Sequence, residues 1–551
     1  MWKYPSMADP DEEPAAQARA TDVADLLGRA AAESPDKLAL VEAGGRTMTW
    51  AQLEDEVGRL ATGLGSAGIV AGHRVMVVMG NRIEFVATYL GILRAQAVAV
   101  PVNPTATDGE LARMIADSGS RVVVTDGDSV SAVRGALVAL DEAMAGDHPE
   151  GSIEADLFSR LVRPRLVVVG ATLQPDERSY DHLRADRARA VPPLQDPEKL
   201  AALLYTSGTS GRPRAAMLTH RALLANIDQV AAVDPPMIHG DDVVLAVLPL
   251  FHVYGLNAVL GVALRHRAKL VLAPRFDPQG TLDLIEDEAC SVIPVAPPVF
   301  AYWRDVDQLR ERLGPVRLML SGSAPLSPEL MEEFTERTGI PIHQGYGLTE
   351  ASPVVTSTLV SERPQPGSVG AALPGVELRL VDDTGRPPEG EDAGQISIRG
   401  ANLFSGYWPD GSDGPDPEGW WATGDVGFLD PSGDLFLVDR LKELVIVSGF
   451  NVYPVEVEDV IREVDGVSEA AVIGVEDELQ GEAVVAYVVA PGRDPAEVES
   501  AVRAHCETRL ARFKQPSRVE VVAELPVGVT GKVQKGRLRG MERRRALGLI
   551  E

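Results

Sequence analysis

The sequence predicts an α/β protein: a large N-terminal domain of two α/β lobes and a β subdomain, followed by a small mobile α+β domain. Three observations carry this. The chain has 551 residues, more than one hydrophobic core usually supports. Short apolar, β-branched runs alternate with helical patterns over two separate stretches. Past about residue 369 the helices drop out of the alternation, and a mixed pattern returns only after residue 440.

The first stretch opens with RVMVVM at 74–79, a buried strand, then a helix over 83–94, a strand over 97–102, a helix over 108–118 and a strand over 121–126. The second has strands at 243–248, 269–273, 291–295 and 317–321, with helices at 255–264, 282–288 and 328–338. Strands separated by single helices predict parallel sheets covered on both faces. Short strands at 376–381, 395–399, 425–429 and 435–438 are joined by Gly, Pro and Asp turns, which predicts an antiparallel subdomain. The final pattern is a helix over 455–464, strands at 470–475 and 483–489, a helix over 496–510 and a strand at 518–522. We divide the chain into a flexible tail (1–20), a large domain (21–440) and a small domain (441–551).

Composition narrows the function. A formal charge of −29 argues against nucleic acid or an anionic membrane as the main partner. Phosphate binding would fall to local loops and a few placed cations. Two cysteines allow neither a disulfide framework nor a Cys-based zinc site and fit a reducing, cytoplasmic setting. The stretch before Thr21 is acidic and Ala-rich, without the order of a signal peptide, and Met7 stands as an alternative start. No apolar run is long enough to cross a bilayer. The partners expected are small molecules, and a homodimer is compatible with the sequence.

Five segments carry candidate chemistry. YTSGTSGRPR (205–214) follows an apolar strand and precedes an amphipathic helix from about Arg221. Its hydroxyls (Ser207, Thr209, Ser210), glycines (Gly208, Gly211) and arginines (Arg212, Arg214) would suit a triphosphate. The spacing is not that of a Walker loop, and a Gly/Ser surface loop is the plainer alternative. In QGYGLTE (344–350), placed after a strand over 341–343, a ring between two glycines can stack on a base. There Thr349 can donate to phosphate and Glu350 can hold Mg2+, against the plainer reading of a solvated loop acid. Asp425 in WATGD suits ribose hydroxyls, though a lone Asp in a turn is the ordinary reading. Arg440 and Lys442 fall where the large and small parts meet, and Lys532 lies on a Gly-containing turn in LPVGVTGK.

In this order these segments, with FHVYGLN and DRLKELVIVSGFNVYPVEVE, resemble the acyl-adenylate-forming superfamily over nearly the whole chain, and within it the branch of fatty acyl-CoA synthetases and acid–CoA ligases. The resemblance implies ATP, Mg2+ and CoA as cofactors. It places the β- and γ-phosphates in the loop from Thr206 through Ser207, Gly208, Thr209, Ser210 and Gly211 to Arg214. The nucleotide would also meet Gly322, Ser323, Ala324, Gln344, Gly345, Tyr346 and Gly347. Asp425 and Arg440 would hold the ribose, Thr349 the α-phosphate and Glu350 the metal. Lys532 would be the catalytic lysine, Lys442 the hinge, and Ser448, Gly449, Phe450 and Asn451 the pantetheine route. His252 would gate an acyl pocket lined by Val253, Tyr254 and Val299, although core packing explains the two valines as well. The uncharged run from Val253 to Leu256 favours an apolar monocarboxylic acid. Arg214-Ala215 departs from the Lys-Gly usual in the family, and Arg is not a neutral substitute for Lys. Three rivals to CoA ligation are loading of a carrier protein, a luciferase-like oxygenase and a non-catalytic acyl or nucleotide sensor.

Overall fold

The computed structural model describes residues 20–145, 157, 160–206, 214–324, 326, 328–382, 385–388, 393–440, 443, 445–447, 450–477, 481–510, 512–528 and 532–546. Its first sheet has seven strands in the spatial order Arg178–Ser179, Arg165–Val169, Val122–Asp126, Arg74–Val78, Val98–Val102, Leu200–Thr206 and Arg214–Thr219. All neighbours are parallel except the last pair. Val75 and Val77 of the Arg74–Val78 strand join one hydrophobic cluster while Met76 and Val78 join another. Both faces of the strand are therefore covered, which is why it reads as an unbroken apolar run.

The second sheet has nine strands: Ala371–Ala372, Val354–Ser357, Ile342–Gly347, Leu318–Ser321, Val292–Val295, Val243–Ala246, Lys269–Leu272, Leu38–Glu42 and Thr47–Thr49. Val244 and Ala246 share the cluster of Val75 and Val77, so one core joins the two sheets. Leu38–Glu42 pairs parallel to Lys269–Leu272, far away in the chain. That pairing is invisible to local pattern, and the sequence reading does not include the strand.

Four antiparallel strands, Val376–Val381, Gly394–Gly400, Trp420–Leu429 and Leu435–Arg440, form the third sheet. The fourth joins Phe450–Val452, Val445–Val447, Gly481–Val489, Glu469–Asp477 and Arg518–Val521. Two clusters drawn from residues between Val445 and Leu538 cover its faces. Helices Pro454–Arg462 and Pro495–Arg509 pack on one, and Leu538 of helix Lys535–Ala546 on the other.

Several local expectations need correction. The helix expected over 255–264 is a π-helix, Tyr254–Gly261, running into an α-helical turn, Val262–His266. Within it the buried Asn257 amide donates to the carbonyls of Leu223 (3.0 Å) and Ser352 (2.6 Å), tying the wide turn to two other elements. The loop after Thr206 does not lead straight into a helix. The strand Arg214–Thr219 intervenes, antiparallel to Leu200–Thr206, and helix His220–Ala231 follows. Tertiary pairing overrides the weak strand preference of Arg-Ala-Ala.

Cys290 and Cys506 are buried thiols without disulfides, pushed up by burial to about 12 and about 11. Among the described residues no helix is long and apolar enough to cross a membrane.

Candidate functional site

The residues around Glu350 are set by strand geometry. Gln344 to Gly347 lie inside strand Ile342–Gly347, not beyond its end, and Thr349–Ala351 form a single 3-10 turn. Val354–Ser357 crosses so closely that a Cβ on Gly345 would stand 2.6 Å from the Thr356 carbonyl oxygen. One on Gly347 would stand 2.4 Å from that of Pro353. The two glycines answer first to a neighbouring backbone. Between them the Tyr346 ring is buried, and its hydroxyl donates to Asp425 Oδ2 at 2.6 Å. Gln344 exchanges hydrogen bonds with Thr358: its N–H donates to Thr358 Oγ1, and its carbonyl accepts from Thr358 N–H. Thr349 is half-buried.

Asp425 does not occupy a turn. It lies within strand Trp420–Leu429, directly opposite Arg440. The sheet thus brings together the two residues expected at the ribose.

Glu350 is buried, at 8% exposure, and is no solvated loop acid. Its Oε1 accepts from the hydroxyl of Tyr407 at 2.6 Å, and its main-chain carbonyl accepts from Phe404 N–H at 2.9 Å. The Arg214 guanidinium lies 3.8 Å from the centre of the Tyr407 ring and pairs with Asp413 Oδ2 at 2.7 Å. Tyr407 and Asp413 escape the sequence reading, since only a Gly and aromatics in FSGYW (404–408) signal that segment. Ala215 sits in regular register opposite Tyr205, and its carbonyl accepts from Trp408 N–H. Extended backbone there has room for a Cβ. Thr206 ends its strand half-buried, its hydroxyl donating to the Arg214 carbonyl at 3.4 Å. The remainder of the expected phosphate cradle, Ser207 to Gly211, lies outside the described residues.

Gly322, Ser323 and Ala324 follow strand Leu318–Ser321, with Ser323 in the left-handed region at φ +75°. A Cβ on Gly322 would stand 2.8 Å from Tyr254 Cε1, so the phenol ring occupies the space a side chain would need. His252 Nδ1 accepts from Tyr254 N–H at 3.3 Å. Burial, with the charge of Lys532 second, pushes the imidazole down to about 4, so it is neutral at pH 7. Val253 and Val299 are at 2% and 7% exposure, in two different core clusters.

Lys532 lies on a hairpin where Val527 bridges Val533 and Gly528 N–H donates to the Lys532 carbonyl at 2.7 Å. Its influence on His252 places the C-terminal lysine within electrostatic reach of the FHVYGLN segment, 280 positions earlier. Lys442, Ser448 and Gly449 lie outside the described residues. Phe450 and Asn451 begin strand Phe450–Val452, paired with Val447 and Ile446.

Among the described residues no three His, Cys, Asp or Glu side chains gather to hold a metal. Mg2+ is usually bound through one or two carboxylates together with substrate phosphates and water. A single buried, oriented Glu350 fits that demand.

A large α/β domain followed by a smaller C-terminal domain is an arrangement shared by known ligases. Residues 27–408 match the family model of AMP-binding enzymes, and residues 456–532 that of the AMP-binding enzyme C-terminal domain. The chain is 33% identical to 4-coumarate–CoA ligase 5 of Oryza sativa, covering 98% of this chain and 96% of the relative. It is 31% identical to a long-chain-fatty-acid–CoA ligase of Bacillus subtilis over 93% of each. Among solved structures, ATP-bound MatB from Rhodopseudomonas palustris matches with a TM-score of 0.81 at 33% identity, covering 94% of this chain and 99% of that one. The anthranilate CoA ligase AuaEII with anthranoyl-AMP matches at 0.82 and 26% identity, covering 96% and 98%. The chain belongs to the AMP-binding enzyme family. It is an AMP-forming acid–thiol ligase, using ATP, Mg2+ and CoA.

Proposed function

We propose that this enzyme activates an apolar monocarboxylic acid, fatty or aryl, as its acyl-adenylate and passes the acyl group to CoA in the cytoplasm. The observation supporting the reading is the buried carboxylate of Glu350, held by the Tyr407 hydroxyl, in a chain that matches both AMP-binding family models, with the charge of Lys532 felt at His252 in the segment expected to receive the acid. Relatives named for long-chain fatty acids and for 4-coumarate support both acid types.

In the first step an oxygen of the acid attacks the α-phosphorus, the O–P bond forms, and the bond to pyrophosphate breaks. Two anions must approach, so Lys532 beside the carboxylate and α-phosphate offsets the repulsion. Thr349 donates to the α-phosphate, Asp425 and Arg440 hold the ribose, and Tyr346 packs on adenine. The loop from Thr206 to Arg214 takes the β- and γ-phosphates, with the backbone of 322–324 and 344–347 lining the nucleotide. When bound, Mg2+ neutralises phosphate charge, and Glu350 holds it.

In the second step the thiolate sulfur of CoA attacks the acyl carbonyl and AMP leaves. Lys532 is no longer needed. The small domain (441–551) turns about Lys442 relative to the large domain (21–440) and brings Ser448 to Asn451 to the pantetheine route. Neutral His252 gates the acid site without adding a charge to it. Tyr254 presents its ring to the acid, and Val253 and Val299 back the pocket wall.

The test is a panel of fatty, aryl and dicarboxylic acids, reading pyrophosphate release with and without CoA and the mass of any thioester. Acyl-CoA from apolar monocarboxylic acids is the expected result. No release with any acid refutes adenylation and favours a sensor. Release without a thioester refutes CoA transfer, and preference for dicarboxylic acids refutes the pocket.

A further inference from the structure

We propose that Tyr407, backed by Arg214, is a positioning residue that fixes the Glu350 carboxylate for Mg2+. This rests on the reading of Glu350 as the metal ligand and extends it to residues beyond that motif.

Glu350 sits on one 3-10 turn, a short element that does little to fix a carboxylate plane. The chain over 404–407 holds it twice: Phe404 N–H on the main-chain carbonyl and the Tyr407 hydroxyl on Oε1. A 2.6 Å hydrogen bond to a charged acceptor is short and directional, so it selects one rotamer. The donor is itself held on every side. Tyr407 bridges Ala216 in the strand beginning at Arg214, its N–H donates to Ser412, and its carbonyl accepts from Gly411. The Phe404 ring meets the Tyr407 ring edge-on at 5.0 Å, and Arg214 lies against it at 3.8 Å.

Arg214 is tied to this arrangement in two ways. Its guanidinium lies against Tyr407, which favours a cation by the ring quadrupole, while Asp413 anchors its outer edge. Its main chain ends the loop expected to hold the phosphates. A planar guanidinium can cover the ring and still pair with a carboxylate, whereas an ammonium is a point charge. The arginine therefore joins the phosphate loop to the metal carboxylate through one aromatic ring.

The test uses Mn2+ as the probe, titrated by electron paramagnetic resonance into full-length enzyme with α,β-methylene-ATP present. Tyr407→Phe keeps the ring and removes one hydroxyl. It should weaken Mn2+ binding roughly tenfold, the scale of one hydrogen bond to a charged group, and lower kcat while leaving KM for the acid within about twofold. Arg214→Leu should weaken Mn2+ by a smaller factor, and Arg214→Lys should recover part of the loss. Wild-type Mn2+ affinity in Tyr407→Phe, with binding lost in Glu350→Gln, overturns the positioning role and leaves Glu350 as ligand. Unchanged affinity in Glu350→Gln overturns the metal assignment itself. Melting curves accompany each variant. If Tyr407→Phe is unfolded, the Arg214 pair decides: unchanged Mn2+ binding in Arg214→Leu refutes the link.

Discussion

Two histidines, buried His220 and half-buried His252, are both pushed down to about 4, yet the causes differ. For His220 the cause is burial alone. The residue opens helix His220–Ala231, and its Nδ1 accepts from Val23 N–H at 3.3 Å, beside Asp22. It pins the start of the large domain. For His252 burial is joined by the charge of Lys532, from the other end of the chain. One imidazole is held within the large domain; the other also feels a charge from the C-terminal part of the chain. A depressed histidine by itself distinguishes neither, and the source of the second contribution does.

The largest way to break this contrast is Lys532→Ala. Pyrophosphate exchange should fall roughly 10²–10³-fold, the usual cost of a placed charge-stabilising group. Thioester formation from supplied acyl-AMP should lose far less. Equal losses in both half-reactions, with an intact melting curve, would remove the lysine from its assigned step.

His220→Gln tests the core side through pH. The folded imidazole titrates near 4 against 6.5 unfolded, so between those values the unfolded chain binds more protons. Stability from this group is complete above about 6.5 and is lost as pH falls toward 4, by ~3 kcal/mol. Asp22, pushed up to about 7 from 3.8 chiefly by burial, has the opposite slope: its contribution is complete below 3.8 and lost as pH rises toward 7. The measurement is therefore the stability difference between wild type and variant, by urea unfolding at several pH values. It should grow from pH 4 to 6.5, and a constant difference contradicts the buried neutral ring.

Gly347→Ala challenges the frame that carries Glu350. A Cβ 2.4 Å from the Pro353 carbonyl oxygen forces backbone apart, so unfolding free energy should drop by ~1–3 kcal/mol. Unchanged stability would return the glycine to a ligand-facing role.

The smallest effect is the sharpest comparison. In Lys532→Ala the His252 titration, followed by NMR, should rise slightly and stay below 6.5, because burial is the leading cause. His220 should not move. A common shift, or none, would mean that the hairpin does not meet His252.

Parallel strands buried on both faces were legible because their apolar runs are unbroken, as at Arg74–Val78. Helices Ile83–Arg94 and Asp108–Ser118 had the limits their periodicity implied. The strand Arg214–Thr219 was not legible, since its pairing with Leu200–Thr206 and with 405–408 outweighs local preference. Asp425 read as the first residue of a strand over 425–429, with a turn acid as the ordinary alternative, and pairing with the neighbouring strands carries that strand back to Trp420, so the Asp lies inside it.

By itself the sequence determined the lobed α/β plan and the chemistry of ordered segments, because periodicity and residue type are local properties. Tertiary structure alone decided that Glu350 is buried beneath Tyr407, that Arg214 covers that ring, and that the charge of Lys532 is felt at His252. Each of those joins residues dozens to hundreds of positions apart, and no local pattern encodes which distant surfaces a shared core will press together.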